Sequence, residues 1–481
     1  MSKEIELTPV AGLRYLWRQL TSMRTAITLL LLLALASIPG SLIPQRTQNP
    51  MAVTAQFQSS PVLAQWMDRF SLFDVYGSPW FSAIYILLFI SLIGCVLPRS
   101  VEHFHAMRAL PPKTPRNLDR MEFYTRTEGS LDQAREWFKK NHFRVREEEG
   151  SLSAEKGFLR ETGNLLFHLS LILILIGMST GALFGMKADV IVNEGERFIN
   201  TPTSYDSVKY GRLTDERSLT PFIIESKKFT ASYDEVTNQP KDYALDVIVK
   251  NTPEEIGKER TLKVNQPLTF GSTRIYLQAN GYSPLVTVRD KQGALIYSGA
   301  IPFLPQDGNL RSMGAIKVAD TNPQYGFIGV LLPTASTDQS GAGISLFPLA
   351  LDPKLLLSVW SGDLGVDSGV PQSVYRLDTT KMKKLGLVSL KVGQSKSFDG
   401  GTITLEKVIP WVNLQIVRDP GKDFSLLGAI LAIAGLLSSL FVRRRRVWVR
   451  VSGKNIEIAG LAKNAAPGLE EEIKSLVKEL K

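Results

Sequence analysis

The sequence predicts an integral membrane protein with four transmembrane α-helices, a large β-rich extracytoplasmic domain and a small α/β cytoplasmic part. Three observations carry that class. Four runs of about 20 residues contain no Asp, Glu, Lys or Arg, and each is long enough for a helix to cross ~30 Å of hydrocarbon. Residues 185–423 alternate short β-branched runs with Gly, Asn and Asp turns. Basic residues gather at one side of the apolar runs, which sets an orientation. The 481 residues are 44% hydrophobic, which excludes a disordered chain and predicts two or more folded units.

Residues 1–24 carry Lys3, Arg14, Arg18 and Arg24 and are expected in the cytoplasm. The first span is 25–43; no small-residue cleavage site follows it, so a secretory signal is not expected. The loop 44–78 holds only Arg46 and Arg69 as basic residues, which places it outside. Its Phe57, Leu63, Trp66, Met67, Phe70 and Phe73 predict a short amphipathic helix, either on the outer interface or packed against the large domain. Trp66, Tyr76 and Trp80 suit an aromatic belt.

The second span is 79–97, and the basic segment 98–163 follows in the cytoplasm. Within it LDQAREWFKKNH reads as a helix, and FRVREEE and SLSAEKG as two strands around Gly150. The third span is 164–184. The outer segment 185–423 is expected to form a sandwich or open barrel, in two lobes split near 305–340 where Pro, Gly and Ser become denser. The fourth span, 424–442, ends in Arg443–Arg446, a strong cytoplasmic signal. The cytoplasmic tail 443–481 reads as a hairpin (VWVRVSG, NIEIAGL) and a closing helix with Pro467 near its start. The α-β-β and β-β-α pieces are expected to pair into one small sheet.

The net charge of +10 is a topology signal; no clustered basic footprint for nucleic acid is present. A single cysteine excludes a disulfide scaffold, a CxxC redox centre and covalent CxxCH haem attachment to this chain. There is no phosphate loop, HExxH or GxSxG motif. Four spans with one buried polar residue make a poor transport path.

The informative residue is His168, about four residues into the third span and roughly 6 Å from its inner end. An ionisable side chain there needs a partner or a cofactor, and neutral imidazole binds haem iron well. Asn164, one turn earlier on the same face, is placed to orient the ring or bond its second nitrogen. The competing role is a structural histidine bonded to a neighbouring helix. His103, His105 and His142 read as surface histidines. Gly428, Ala432, Gly435 and Ser439 form a small-residue stripe for close helix packing, within the chain or with a partner. Cys95 reads as inert packing.

Several stretches carry a resemblance over nearly the whole chain: SMRTAITLLLLLALASIPGSLIPQ, FDVYGSPWF leading to LIGCVLPR, EKGFLRETGNLLFHLSLILILIG, and DPGKDFSLLGAILAIAGLLSSLFVRRRRVWVRV. The chain resembles ResB (CcsB-type) proteins of the System II cytochrome c biogenesis pathway. The resemblance implies a subunit of a haem-handling and haem-attachment complex in a bacterial plasma membrane or a thylakoid membrane. It implies that His168 is an axial ligand to transiently bound haem b, with Asn164 beside it. The implied partners are a tryptophan-rich CcsA (ResC)-type membrane protein, apocytochrome c and a thioredoxin-like thiol reductant. The external histidines of the partner type are absent here and no fused second half follows Lys481, so the chain is expected to supply positioning within a synthase complex. The competing class is a membrane-anchored β-domain receptor or scaffold without cofactor, which leaves His168 without a role.

Overall fold

The computed structural model describes residues 9–366, 375–462 and 468–481. Among them are nine α-helices: α1 (Pro9–Leu20), α2 (Met23–Leu42), α3 (Pro50–Ser59), α4 (Pro61–Arg69), α5 (Pro79–Arg108), α6 (Leu131–Lys140), α7 (Leu159–Phe184), α8 (Lys422–Phe441) and α9 (Leu469–Leu480). Pro467, expected near the start of α9, lies outside the described residues. The chain divides into two compact units, Met1–Ser179 with Gly421–Lys481, and Thr180–Pro420.

In the first unit, α2, α5, α7 and α8 are long and apolar enough to cross a membrane. Two boundaries differ from the expected runs. Helix α5 continues through Pro98 to Arg108, because the hydropathy that marks a span ends before the helical backbone does. Helix α7 begins at Leu159, five residues early, because its charged first turn is neutralised by ion pairs described below.

Helices α7 and α8 pack antiparallel through small residues seven apart on both. Gly163 meets Gly435, Ser170 meets Gly428, and Gly177 meets Gly421 and Ser425; a Cβ on Gly163, Gly177, Gly428 or Gly435 would lie within 3.1 Å of the facing helix. Spacing of seven keeps a seam in contact along two helices. The α8 stripe read from the sequence therefore packs within the chain, and α7 supplies a matching one that the sequence reading missed.

The segment between α2 and α5 forms two short helices, where one amphipathic helix was expected. Phe73, Val53 and Ala64 are buried, with Phe57 and Met67 packed on them, while Leu63, Trp66 and Phe70 face outward. Gln45 is buried and ties the knot: its side chain donates to the Ile43 and Leu72 carbonyls and accepts from Val75 N–H. Tyr76 packs on Gly40, where a Cβ would come within 2.7 Å of the ring.

The α-β-β and β-β-α pieces do form one sheet. Its order is Phe123–Thr127, Asn455–Ala462, Arg445–Ser452, Ser151–Lys156, Arg144–Glu148. The outer strand Phe123–Thr127 was not anticipated. Helices α6 and α9 cover one face through Trp137, Phe138, Ile473 and Leu476. Ser130 caps α6 with a reciprocal Gln133 bond.

The second unit is sandwich-like, with three main antiparallel sheets. Two 18-residue strands, Thr273–Asp290 and Gly401–Arg418, pair along their length. Near one end their Ile275, Leu277, Leu414 and Ile416 join a core with the sheet built on Ile223–Tyr233 and Pro240–Lys250. Toward the other, Val286, Val288, Ile403 and Leu405 join a core with Ser312–Val318, Gln324–Leu332 and Lys354–Gly362. The two lobes therefore share strands, and their border runs through the middle of both rather than near 305–340. Register shifts at Leu277/Ala279 and Leu285/Val286 flank that border, since a bulge turns side chains onto a new face. Trp411 is buried there, its ring over Gly281 and its indole N–H donated to the Phe303 carbonyl.

Candidate ligand site on helix α7

The entry to α7 is built residue by residue. Gly157, at φ +97°, turns the strand Ser151–Lys156 into the helix, and a Cβ there would strike the Arg443 carbonyl. Phe158 lies between two guanidinium groups, Arg144 at 4.6 Å and Arg444 at 4.5 Å from its ring centre. The Glu155 side chain is 1% exposed and receives Arg444 and Arg446, the latter at 2.9 Å. Arg444 also pairs with Glu161 at 2.7 Å, and Arg445 with Glu472. The basic run after α8 is thus answered by carboxylates inside the fold as well as marking a helix end.

His168 sits nine residues into α7, about 13 Å from its start, deeper in the helix than the expected 6 Å. Its Nδ1 lies 2.7 Å from the backbone carbonyl of Asn164. A carbonyl only accepts, so Nδ1 carries a proton, and in the neutral ring Nε2 then presents its lone pair. Among the described residues no hydrogen bond is made by Nε2. Asn164 meets the ring through its main-chain carbonyl, and its side chain is exposed. The Phe167 ring stands perpendicular to the imidazole at 5.3 Å.

At about 100° per residue, His168 points away from the Gly163–Ser170–Gly177 seam with α8. It shares its face with Leu175 and Ser179, two and three turns on. There Tyr85 of α5 donates its hydroxyl to the Leu175 carbonyl at 2.9 Å and lies 3.3 Å from Ser179 Oγ. About two turns before His168, α5 grips α7 again through His103. The His103 Nε2 is 2.9 Å from Thr162 Oγ1, and Nδ1 is 3.7 Å from Glu161. The imidazole of His168 thus lies partly buried between two clamps of α5 on α7.

His103 is the correction here. Its side chain is 9% exposed, because α5 runs on past Pro98 and carries it onto α7. His105 and His142 are exposed, as read from the sequence. Cys95 donates its thiol to the Thr21 carbonyl at 2.7 Å and is held as packing.

This arrangement suits an axial ligand to a metal porphyrin. One nitrogen is fixed as donor to a carbonyl, and in the neutral ring the other presents a lone pair. No cluster of three or more His, Cys, Asp or Glu able to hold a free metal ion occurs among the described residues.

A model of the ResB-like family matches residues 23–474. The chain is 25% identical over 468 residues to a protein named cytochrome c biogenesis protein CcsB from Thermosynechococcus vestitus, covering 96% of this chain and 95% of that one. It is 25% identical over 487 residues to the protein of the same name from Microcystis aeruginosa, covering 100% and 98%. It is 25% identical over 471 residues to that from Prochlorococcus marinus NATL1A, covering 95% and 96%.

Proposed function

The chain belongs to the ResB-like family, and from that premise we infer that it acts in cytochrome c biogenesis as a haem-positioning subunit of a membrane complex. The near full-length similarity to proteins named cytochrome c biogenesis protein CcsB supports the pathway. The four apolar helices support an integral membrane protein. In this reading residues 185–423 lie on the outer side, and 1–24, 98–163 and 443–481 on the inner side, as the basic residues beside the spans favour.

His168 is the proposed axial ligand of haem b. The observation that carries this is the oriented ring: Nδ1–H is donated to the Asn164 carbonyl at 2.7 Å, which in the neutral imidazole leaves Nε2 its lone pair. A CcsA-type membrane protein would supply the second axial histidine. Apocytochrome c would be met on the outer side, with its thiols kept reduced by a thioredoxin-like protein. Haem, when bound, supplies the vinyl groups that its attachment chemistry requires. What this chain does is hold and orient: the Asn164 carbonyl sets the imidazole, the Gly seam fixes α7 against α8, and the two α5 clamps hold α7 on either side of the ring.

The experiment is absorbance of the complex purified with its CcsA-type partner from haem-replete cells. A Soret band that disappears in His168→Ala supports the reading. A colourless wild-type complex overturns it and favours a cofactor-free membrane-anchored receptor.

A further inference from the structure

We propose that α1 is a membrane-surface anchor whose partner is the anionic headgroup layer at the Met23 end of α2. The sequence of α1, PVAGLRYLWRQL, sorts cleanly around a helix. Val10, Leu13, Leu16, Trp17 and Leu20 fall on one arc, Arg14 and Arg18 on its border, and Tyr15 and Gln19 opposite. That arc is not covered by protein: Val10 is 58%, Leu13 68%, Leu16 63% and Trp17 54% exposed. A 12-residue helix with such a face is unstable alone in water, so something apolar must meet it.

The position of α1 identifies what does. Its end is pinned to α5: Ser91 Oγ donates to the Leu20 carbonyl at 2.6 Å, and Cys95 Sγ to the Thr21 carbonyl. Thr25 Oγ1 donates to Gln19 O at 2.6 Å, and Ser22 caps α2. Of the pinned residues, Cys95 lies one turn before Arg99 on α5 and Thr21 three residues before Arg24, where charge resumes after the apolar runs. Helix α1 therefore leaves the bundle at the level where hydrocarbon gives way to headgroups, and Ile27 and Leu30 in the first half of α2 are exposed as well.

Charge complementarity completes the case. Arg14, Arg18 and Arg24 have no ion pair among the described residues, in contrast to Arg444, Arg445 and Arg446. Arginines bordering an apolar arc can reach phosphates while the arc sits in the acyl boundary. A protein partner's helix would instead favour a small-residue face, as on α7 and α8.

The inference rests on α2 and α5 being embedded in a bilayer. The test is hydrogen exchange of the full-length protein in nanodiscs of phosphatidylcholine alone or with about a third phosphatidylglycerol. Amides of residues 10–20 should exchange at least about tenfold more slowly in the anionic discs than in the zwitterionic ones, and the Arg14→Glu/Arg18→Glu variant should lose that protection. Brominated lipid should quench the part of the emission that Trp17→Phe removes. Fast exchange of α1 in anionic discs overturns the proposal, as does protection indifferent to lipid charge and to both arginines. Protection that needs a co-purified protein also overturns it and assigns the face to that protein. If α2 and α5 exchanged rapidly too, the membrane reading itself would have failed, which is a distinguishable result.

Discussion

Replacing Gly435 by alanine tests the packing that places His168. A Cβ there would lie 2.6 Å from Phe167 N, 2.7 Å from Gly163 O and 3.1 Å from Phe167 Cα. All three are backbone atoms of α7, so no side-chain rotation relieves them, and the helices must part by about 0.8 Å to reach ordinary contact. Because the clashing atoms are backbone, the overpacking cost falls in the upper part of its usual range, about 2–3 kcal/mol, and the better helical propensity of alanine returns ~1, leaving a loss of about 1–2 kcal/mol. The unit that contains both helices has about 240 residues. For that size a kcal/mol moves Tm by about 2–4 °C, so Gly435→Ala should lower Tm by roughly 2–8 °C. Intrinsic fluorescence during heating in detergent reads this, since Trp137 and Trp448 are buried in the same unit. Gly12→Ala is the control: nothing lies within 4 Å of its Cβ, so only the propensity gain operates. A Gly435→Ala protein as stable as wild type would refute the close seam.

Other consequences are sharper in sign than in size. Glu155→Ala leaves Arg444 and Arg446 without their shared carboxylate and should cost about 3–5 kcal/mol in urea unfolding. A loss below 1 kcal/mol would mean that water replaces Glu155 freely. Hydrogen bonds from Arg450 first, then from Tyr124 and Arg126, hold the Glu457 carboxyl below its ordinary value. Because the folded value is the lower one, its stabilisation is complete above the ordinary carboxylate range near 4.5 and fades as pH falls below it. Glu457→Gln should therefore flatten the acid limb of Tm between neutral pH and pH ~3.5; an unchanged limb would contradict this. His103→Ala should lose about 1 kcal/mol through its bond to Thr162, and exposed His105→Ala almost nothing, by the same thermal assay. Equal effects would place both on the surface.

How much of this was readable in the sequence depends on the range of the interaction. The apolar helices were legible because their cause is local: about 20 uncharged residues in a row. Their ends were less so. Pro98 and Arg99 stop the hydropathy of α5 but not its hydrogen bonding, and that extension is what carries His103 onto α7. The β character of 185–423 was visible as alternation, whereas the lobe border was not, since it depends on Thr273–Asp290 finding Gly401–Arg418 across more than a hundred residues. Glu155 looked like one more surface charge because nothing in its neighbourhood announces Arg444. The seam on α7 could have been found: Gly163, Ser170 and Gly177 are spaced by seven, as are Gly421, Gly428 and Gly435. His168 was legible as the lone histidine in the four apolar runs. That Asn164 serves it through a carbonyl was not, because any residue type supplies one.

Because any residue at 164 supplies that carbonyl, ligation by His168 is separable from any role of the Asn164 side chain. The direct measurement is the haem-to-protein ratio of the partner-bound complex carrying His168→Gly, before and after adding imidazole at millimolar concentration, with Asn164→Ala alongside. Ligation by Nε2 predicts haem lost in His168→Gly and regained with imidazole, and haem retained in Asn164→Ala, whose carbonyl is intact. Wild-type haem content in His168→Gly without imidazole would contradict it.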